Sequence, residues 1–230
     1  MIKLEDATKK YTGQSNGTIA LDKVNLEIAE GEMVAVVGPS GCGKSTLLNI
    51  LGGMDHLTSG RYYFGDQIVS SYGSGKLHHF RKENIGFVFQ NFALLNRYTV
   101  YENLEIPLLA RNQKHYKKRI MDCLEQLGIA ECAKKLPQKL SGGQQQRCAI
   151  GRALMSDCNL LLCDEPTGAL DSKTGMEIMD IICGESLRGK TIVIATHDVN
   201  VAARCSKQIK MEDGKIHNLC GDEAYEKQGI

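Results

Sequence analysis

The stretch with the clearest chemical potential is GPSGCGKST at residues 38–46, which combines three glycines, one lysine and two consecutive hydroxyl side chains. Glycine adopts positive φ and has no Cβ, so backbone N–H groups around it can approach a ligand closely. Such N–H groups at the start of a helix attract anions, and the helix dipole adds to that attraction. Lys44 can reach the outer phosphates of a nucleotide, while the Ser45 hydroxyl can bind Mg²⁺. The stretch therefore predicts a phosphate-binding loop rather than a glycine-rich loop without a ligand.

The residues on either side of this stretch support the same interpretation. EMVAVV before it has the pattern of a short strand, and STLLNILGG after it has the pattern of a helix that ends in glycines. Because Cys42 lies inside the loop, we expect a thiol reagent to modify it when the loop is empty and ATP to protect it. Every residue of the loop is a candidate for nucleotide binding: Gly38, Pro39, Ser40, Gly41, Cys42, Gly43, Lys44, Ser45 and Thr46.

A pair of carboxylates follows a second apolar run, NLLLCDEP, at residues 159–166. The run predicts a buried strand that delivers Asp164 and Glu165 at its carboxyl end, where open α/β sheets bind ligands. Successive side chains of a strand point to opposite faces, so one carboxylate can face Mg²⁺ and the other a water molecule in line with the γ-phosphate. That division suits phosphoryl transfer, in which catalysis is mostly positioning and charge neutralisation. A solvated acidic turn is the alternative.

A second glycine-containing helix start is predicted at LSGGQQQR, residues 140–147. Ser141 is a favourable N-cap, and the two glycines after it expose backbone N–H groups, so this helix start could also bind an anion. On its own the segment is equally compatible with an ordinary flexible turn.

The elements around these segments predict an α/β fold. Apolar strand patterns alternate with helical patterns around the phosphate-binding loop and again from NLLLCDE to KTIVIATHD, as in a parallel sheet. Alternating strands in the first thirty residues predict an antiparallel sheet. Helical periodicity dominates about 91–157, so we expect a helical subdomain there, with the core formed by about 1–90 and 158–230.

The composition excludes several classes of protein. The 230 residues carry a net charge of +1, which argues against a nucleic-acid-binding surface. The nine cysteines form no Cys-x-x-Cys pair, which favours reduced thiols over a disulfide framework or a zinc site. No apolar run approaches the roughly 18 residues of a membrane helix. The run KLHHFRKE, 76–83, could suggest metal or anion binding, but such a run is more typical of a solvated surface.

Taken together, GPSGCGKST, LSGGQQQR, LLLCDEP, ALD and THD, in this order and spacing, resemble the ATP-binding subunit of an ABC transporter. The resemblance covers residues 1–216 and implies one ABC-type ATP-binding domain over 1–230. It implies a P-loop NTPase core of the RecA-like type with a mostly parallel sheet, an N-terminal antiparallel β subdomain and an inserted helical subdomain. The implied activity is Mg²⁺-dependent ATP hydrolysis coupled to transport, with ATP and Mg²⁺ as the cofactors.

The resemblance also implies roles for single residues. Glu165 matches the general base, His197 the histidine that contacts the γ-phosphate, and Lys44 the phosphate-binding lysine. Gln90 matches the glutamine that contacts Mg²⁺ or the attacking water and senses the membrane partner. The implied metal site consists of Ser45, Gln90 and Asp164.

Further binding residues follow from the same resemblance. Tyr11 matches the aromatic residue that stacks on adenine, and Asp171 matches the residue that communicates across a dimer. Two copies are expected to stack head to tail, so that the helix start of one copy closes over the ATP bound to the other. The residues implied at that helix start are Ser141, Gly142, Gly143 and Gln144.

Finer segments, such as LLNILGGMDHLTSG and TGALDSKTG, resemble the ATPases of lipoprotein-releasing, macrolide-exporting and antimicrobial-peptide-resistance systems. That branch implies a separate transmembrane permease, export or extraction of a lipid, peptide or drug-like substrate, and a peripheral position on the cytoplasmic side of the cell membrane.

The alternative is a soluble ABC ATPase of DNA repair or chromosome organisation. Those proteins carry long coiled-coil or zinc-bearing insertions, and the chain between Gly43 and Ser141 has neither sustained heptads nor paired cysteines. A module that senses ATP without turnover would require a defective carboxylate pair or switch histidine, and both are intact.

Overall fold

The computed structural model describes residues 1–12 and 17–218. Its strands in chain order are β1 (Ile2–Tyr11), β2 (Thr18–Ile28), β3 (Met33–Val37), β4 (Ser59–Phe64), β5 (Gln67–Ile68), β6 (Ile85–Val88), β7 (Leu160–Asp164), β8 (Thr191–Thr196), β9 (Lys207–Glu212) and β10 (Lys215–Asn218). Its α-helices are α1 (Lys44–Leu51), α2 (Ser74–Asn84), α3 (Val100–Ala110), α4 (Lys117–Gln126), α5 (Gly142–Leu154), α6 (Ser172–Leu187) and α7 (Val199–Ala202). No described helix is both long and apolar enough to cross a membrane.

Two sheets form the framework. Strands β2, β1, β4 and β5 lie in that order in an antiparallel sheet, as the alternating N-terminal sequence predicts. The larger sheet has the order β10-β9-β3-β8-β7-β6, and its pairs are parallel except for β10 with β9. The α/β fold with an antiparallel N-terminal sheet is therefore confirmed.

The parallel sheet lies between two hydrophobic cores. Along β8, Val193 and Ala195 pack into the core that contains α1 and the antiparallel sheet, while Ile192 and Ile194 pack into the core on the helical side. This alternation follows from the two-residue period of a strand. Because both faces are covered, the central strands are continuous apolar runs instead of alternating ones.

The segment between β6 and β7 is helical. It contains α3, α4 and α5, all within the predicted helical subdomain, whose boundaries stay a prediction. Thr99 begins α3 with a capping box, in which its side chain and that of Glu102 each accept a hydrogen bond from the other residue's backbone N–H.

One helix was not predicted. The polar run at 76–83 lies in α2, whose only buried side chains are Leu77 and Phe80. The Phe80 ring packs edge-on against Tyr62 and Phe64, with ring centroids 6.2 and 5.2 Å away. Most of α2 is solvated, as the charge pattern suggested, but its two apolar residues attach it to the core.

The register of the parallel sheet brings the predicted functional segments to one edge. Val37 at the end of β3 pairs with Thr196 at the end of β8, and Asp164 at the end of β7 pairs with Ala195. The carboxyl ends of these strands are therefore adjacent, which is where ligands bind in open α/β sheets.

Candidate functional site

The loop between β3 and α1 has the conformation that an anion-binding helix start requires. Gly43 is the N-cap of α1, its φ is 111°, and no side chain caps the helix. The first backbone N–H groups of a helix have no partner within that helix. An anion with several oxygens, such as a nucleotide phosphate, fits this set of donors.

Two of the loop glycines are required by the packing of the protein itself. A Cβ built on Gly43 would lie 2.3 Å from the carbonyl oxygen of Ala20, and one on Gly38 would lie 2.1 Å from that of Met211. The loop is thus held between β2 and β9. Gly41 is different, because nothing lies within 4 Å of its Cβ position and only its φ of +81° favours glycine.

Lys44 directs its ammonium group back into the loop. The side chain is 7% exposed, and Nζ donates hydrogen bonds to the carbonyl oxygens of Gly38 at 2.7 Å and Pro39 at 3.0 Å. Nζ also lies 4.0 Å from Oε1 of Glu165. A fixed positive charge is therefore positioned between the phosphate-binding loop and the carboxylate pair.

Cys42 differs from its neighbours in the loop. Its residue is 4% exposed and belongs to the hydrophobic core, so a reagent in solvent has little access to the thiol. The expectation that Cys42 is modified when the loop is empty is therefore corrected, because it assumed that the side chain faces the ligand. Only its backbone N–H remains a candidate ligand contact.

Glu165 sits on a turn immediately after β7, with a left-handed φ of 46°. Its backbone N–H donates to the carbonyl oxygen of Ala195 at 2.9 Å, which fixes the turn against β8. Its Oε1 lies 2.9 Å from Nδ1 of His197, and the hydroxyl of Thr196 donates to its Oε2 at 3.4 Å. The carboxylate is 12% exposed and the imidazole 65%, so His197 borders the solvent side of the site.

Asp164 provides a separate carboxylate at the end of β7. Burial raises its pKa above the ordinary value, while a hydrogen bond with the Ser45 side chain and the charge of Lys44 oppose that shift. A half-buried carboxylate whose pKa is raised in this way is a favourable position for a cation.

The residues present fit Mg²⁺ only in combination with a phosphate ligand. Among the described residues, no group of three His, Cys, Asp or Glu side chains could hold a metal ion. Ser45 and Asp164 supply the oxygen atoms that Mg²⁺ prefers, and Mg²⁺ commonly takes one or two protein ligands besides water and substrate phosphates. Gln90 is exposed just beyond β6, at the same edge of the sheet.

Tyr11 lies at the end of β1, beside the phosphate-binding loop. Burial and a hydrogen bond to Asp55 raise the pKa of Tyr11, whereas a hydrogen bond with the Thr46 side chain opposes that shift. The tyrosine hydroxyl therefore lies near the Thr46 side chain in the first turn of α1, and 42% of the residue remains exposed.

A second cluster forms around the start of α5. Ser141 is the N-cap, its Oγ accepts from the N–H of Gln144 at 3.3 Å, and its own N–H donates to Oε1 of Gln144 at 3.0 Å. The predicted N-cap is confirmed. A cavity of about 300 Å³ lies between this helix start and the start of α6, and its lining includes Gly142, Gly143 and Asp171.

Asp171 itself begins α6. Its side chain accepts from the N–H of Thr174 at 3.1 Å, and this hydrogen bond lowers its pKa. A Cβ on Gly143 would lie 2.7 Å from Cγ2 of Thr174, so the two helix starts are in close contact.

The two clusters are connected by a residue that sequence reasoning missed. Gln146 on α5 is 1% exposed, and its Nε2 donates to the carbonyl oxygen of Pro166 at 2.7 Å, just after Glu165. Apart from such indirect connections, no hydrogen bond or ion pair joins residues 141–144 to residues 38–46 within the described chain. A buried glutamine in a polar helical run gives no sequence signal of this contact.

Comparisons with known proteins agree with this geometry. The family model described as ABC transporter matches residues 21–168. The macrolide export ATP-binding/permease protein MacB of Vibrio parahaemolyticus is 42% identical over 218 residues, which cover 94% of this chain but 33% of that protein. The chain thus spans about one third of the length of that exporter. The ABC transporter ATP-binding protein MJ1508 of Methanocaldococcus jannaschii is 43% identical and matches over 97% of its length.

Solved structures with the same fold include dimers. The dimeric structure of MJ0796, a bacterial ABC transporter cassette, has a TM-score of 0.90 and 42% identity, covering 96% of this chain and 100% of that one. A dimeric post-hydrolysis state of MJ0796 bound to ADP and Pi has a TM-score of 0.89 and 41% identity, with the same coverage of both chains.

Proposed function

Because this chain belongs to the ABC transporter family, we propose that it binds and hydrolyses ATP between two copies of itself and thereby drives a transmembrane permease. The observation that carries the proposal is the convergence on Glu165. His197 and Lys44 both approach its Oε1, at 2.9 and 4.0 Å, beside the glycine-rich start of α1. A base, a cation and a set of backbone donors at one sheet edge are the parts that ATP hydrolysis requires.

Each residue at this edge then has a distinct task. The N–H groups of the loop and Lys44 bind the β- and γ-phosphates, and Ser45, Asp164 and Gln90 would hold Mg²⁺. When bound, Mg²⁺ neutralises charge on the phosphates. Glu165 accepts the proton of the attacking water, and His197 orients Glu165 and contacts the γ-phosphate.

The second cluster acts on the nucleotide of the other copy. In one chain, residues 141–144 and Asp171 form their own cavity instead of joining the phosphate-binding loop. In a head-to-tail dimer, the helix start of α5 would supply further N–H donors to the γ-phosphate bound by the partner. ATP then favours the closed dimer, and hydrolysis allows it to reopen.

The relatives support the proposed coupling to transport. MacB of Vibrio parahaemolyticus is described as an ATP-binding/permease protein, and this chain corresponds to about one third of it. We infer that a transmembrane permease supplies the membrane part and recruits this ATPase to the cytoplasmic face of the membrane. Export or extraction of a lipid, peptide or drug-like molecule is the proposed task.

A mixing experiment tests the shared site. Lys44→Ala disables the phosphate-binding loop, and Gly142→Asp places a carboxylate at the start of α5, where no atom lies nearer than 3.8 Å to the new Cβ. Each variant alone should be inactive. Mixed in equal amounts, they should recover about one quarter of wild-type hydrolysis, since half of the dimers are mixed and one site in each is intact.

The matched control carries both substitutions in one chain. Mixed with wild-type protein, it forms heterodimers in which both sites are damaged. The hydrolysis should therefore fall below that of the same amount of wild-type protein alone. If the two single variants fail to complement at concentrations where wild-type protein dimerises, the shared site is refuted.

A further inference from the structure

Tyr11 is anchored unusually well for a residue that remains 42% exposed. Its hydroxyl donates a hydrogen bond to Oδ2 of Asp55 at 2.8 Å, although the two residues are 44 positions apart in the chain. Asp55 follows the end of α1, so this bond connects the last residue of β1 with the far end of the helix that begins at the phosphate-binding loop.

The other oxygen of Asp55 holds a lysine. Nζ of Lys9 lies 2.6 Å from Oδ1 of Asp55 and donates a second hydrogen bond to the carbonyl oxygen of His56 at 2.8 Å. The His56 N–H also donates to Oδ1 at 2.7 Å. Although burial alone would raise the pKa of Asp55, these hydrogen bonds and the one from Tyr11 lower it, so the carboxylate is charged at neutral pH.

Lys9 also contacts the aromatic ring directly. Its Nζ lies 4.8 Å from the centroid of the Tyr11 ring, within the range of a cation–π interaction. Lys9 and Tyr11 are two positions apart on β1, and both side chains contact Asp55. The ring is therefore held at its hydroxyl by Asp55 and contacted on one face by Lys9, while 42% of the residue stays exposed.

We propose that Asp55 and Lys9 are positioning residues that hold the Tyr11 ring in a fixed orientation for stacking on the base of the nucleotide. This inference rests on the proposed function, in which Tyr11 contacts adenine. An aromatic side chain that is ordered before binding loses less conformational entropy when the base stacks on it. The ligand part concerned is the flat base, while the triphosphate is bound separately by the loop.

A purely structural role is the competing explanation, since the same contacts also attach β1 to the end of α1. The two roles differ in what they do to ligands without a base. A structural connection would affect every ligand of the loop equally, whereas a positioning role affects only ligands that carry a base.

The experiment compares the affinities of Mg-ATP and Mg-tripolyphosphate, which has no base, by isothermal titration calorimetry. Tyr11→Phe is the main variant, because it keeps the ring and the Lys9–Asp55 pair and removes only the anchoring hydroxyl. We expect Tyr11→Phe and Asp55→Ala each to weaken ATP binding by roughly three- to tenfold. This factor corresponds to the entropy cost of immobilising one side chain on binding. Tripolyphosphate affinity should stay within about twofold.

The background of Tyr11→Ala provides the second test. Without the ring, adding Asp55→Ala should cause no further loss of ATP affinity. Asp66→Ala, at an exposed carboxylate in the turn between β4 and β5, is the matched control and should change neither affinity. Thermal unfolding of each variant identifies any loss of folded protein.

The outcomes separate this inference from the proposed function. Equal weakening of ATP and tripolyphosphate, or a further loss in the Tyr11→Ala background, would assign Asp55 a structural role only. Unchanged ATP affinity in both Tyr11→Phe and Asp55→Ala, with clear weakening in Tyr11→Ala, would refute the positioning role and leave the adenine contact intact. If Tyr11→Ala itself binds ATP normally, the adenine contact of the proposed function fails.

Discussion

Nδ1 of His197 lies 2.9 Å from Oε1 of Glu165, and the same carboxylate oxygen faces the ammonium group of Lys44 at 4.0 Å. The three side chains come from the ends of β8 and β7 and from the start of α1. Glu165 has a left-handed backbone at this meeting point, with a φ of 46°. Backbone strain of this kind persists when the surrounding structure holds it, and it is common at functional sites.

Glu165→Gln should abolish turnover, because glutamine keeps the shape of the side chain but cannot accept a proton. We expect hydrolysis to fall by on the order of 10² to 10⁴, with ATP binding retained and an ATP-dependent dimer accumulating. Phosphate release and size-exclusion chromatography with ATP measure the two effects. Glu212→Gln, at an exposed carboxylate of β9, is the control. Near wild-type hydrolysis by Glu165→Gln would remove this residue from the role of base.

Lys44→Ala should weaken nucleotide binding itself. Removing a charged donor from a phosphate site costs about 1.5–3 kcal/mol, which corresponds to a loss of affinity of roughly ten- to hundredfold. Titration calorimetry with Mg-ATP gives the dissociation constant. Lys134→Ala, at an exposed position beyond α4, should bind ATP normally. Unchanged affinity in Lys44→Ala would contradict the phosphate-binding loop.

Gly143→Ala should destabilise the contact between the starts of α5 and α6. The new Cβ would lie 2.7 Å from Cγ2 of Thr174, so we expect a loss of about 1–3 kcal/mol in the free energy of unfolding, measured with urea. Combination with Thr174→Ser, which removes that methyl group, should recover most of the loss relative to Thr174→Ser alone.

Gly142→Ala is the control for this packing effect, since its Cβ would lie 3.8 Å from the nearest atom. It should leave the unfolding free energy nearly unchanged. Equal losses of unfolding free energy at both glycines, or no recovery with Thr174→Ser, would show that the contact with Thr174 is not the reason why position 143 requires glycine.

Cys42 should react slowly with N-ethylmaleimide whether or not ATP is present, because its thiol lies in the core. Peptide mapping should find that the half-buried Cys183 reacts faster. Burial raises the pKa of Cys205 to about 12, so its reaction should be slow at neutral pH and accelerate as the pH rises and the thiolate forms. In urea the differences should disappear. Rapid, ATP-protected labelling of Cys42 would contradict its burial.

Local sequence patterns were sufficient wherever a feature depends on neighbouring residues. The strand before the phosphate-binding loop, the helix after it and the N-cap at Ser141 were all predicted, since hydrophobic period and capping chemistry act over a few positions. Helix α2 was missed because Leu77 and Phe80 are its only buried residues, and two apolar residues in a polar run make no recognisable period.

Contacts between distant segments required the structure. The bond between Tyr11 and Asp55 and the one between Gln146 and Pro166 join residues that no periodic pattern relates. The resemblance to a family assigned a role to Tyr11, but it gave none to Asp55 or Lys9, which hold the tyrosine in place.

By itself, the sequence determined the chemical groups of this protein and the local elements that carry them: a glycine-rich helix start with a lysine, a carboxylate pair after a buried strand, and a capped second helix start. Only the tertiary structure decided which of these groups meet. The order of strands in the parallel sheet places the ends of β3, β8 and β7 side by side, whereas the start of α5 packs against α6, away from the phosphate-binding loop. The reason is that strand order and helix packing depend on burying apolar surface across the whole chain, which no local pattern encodes.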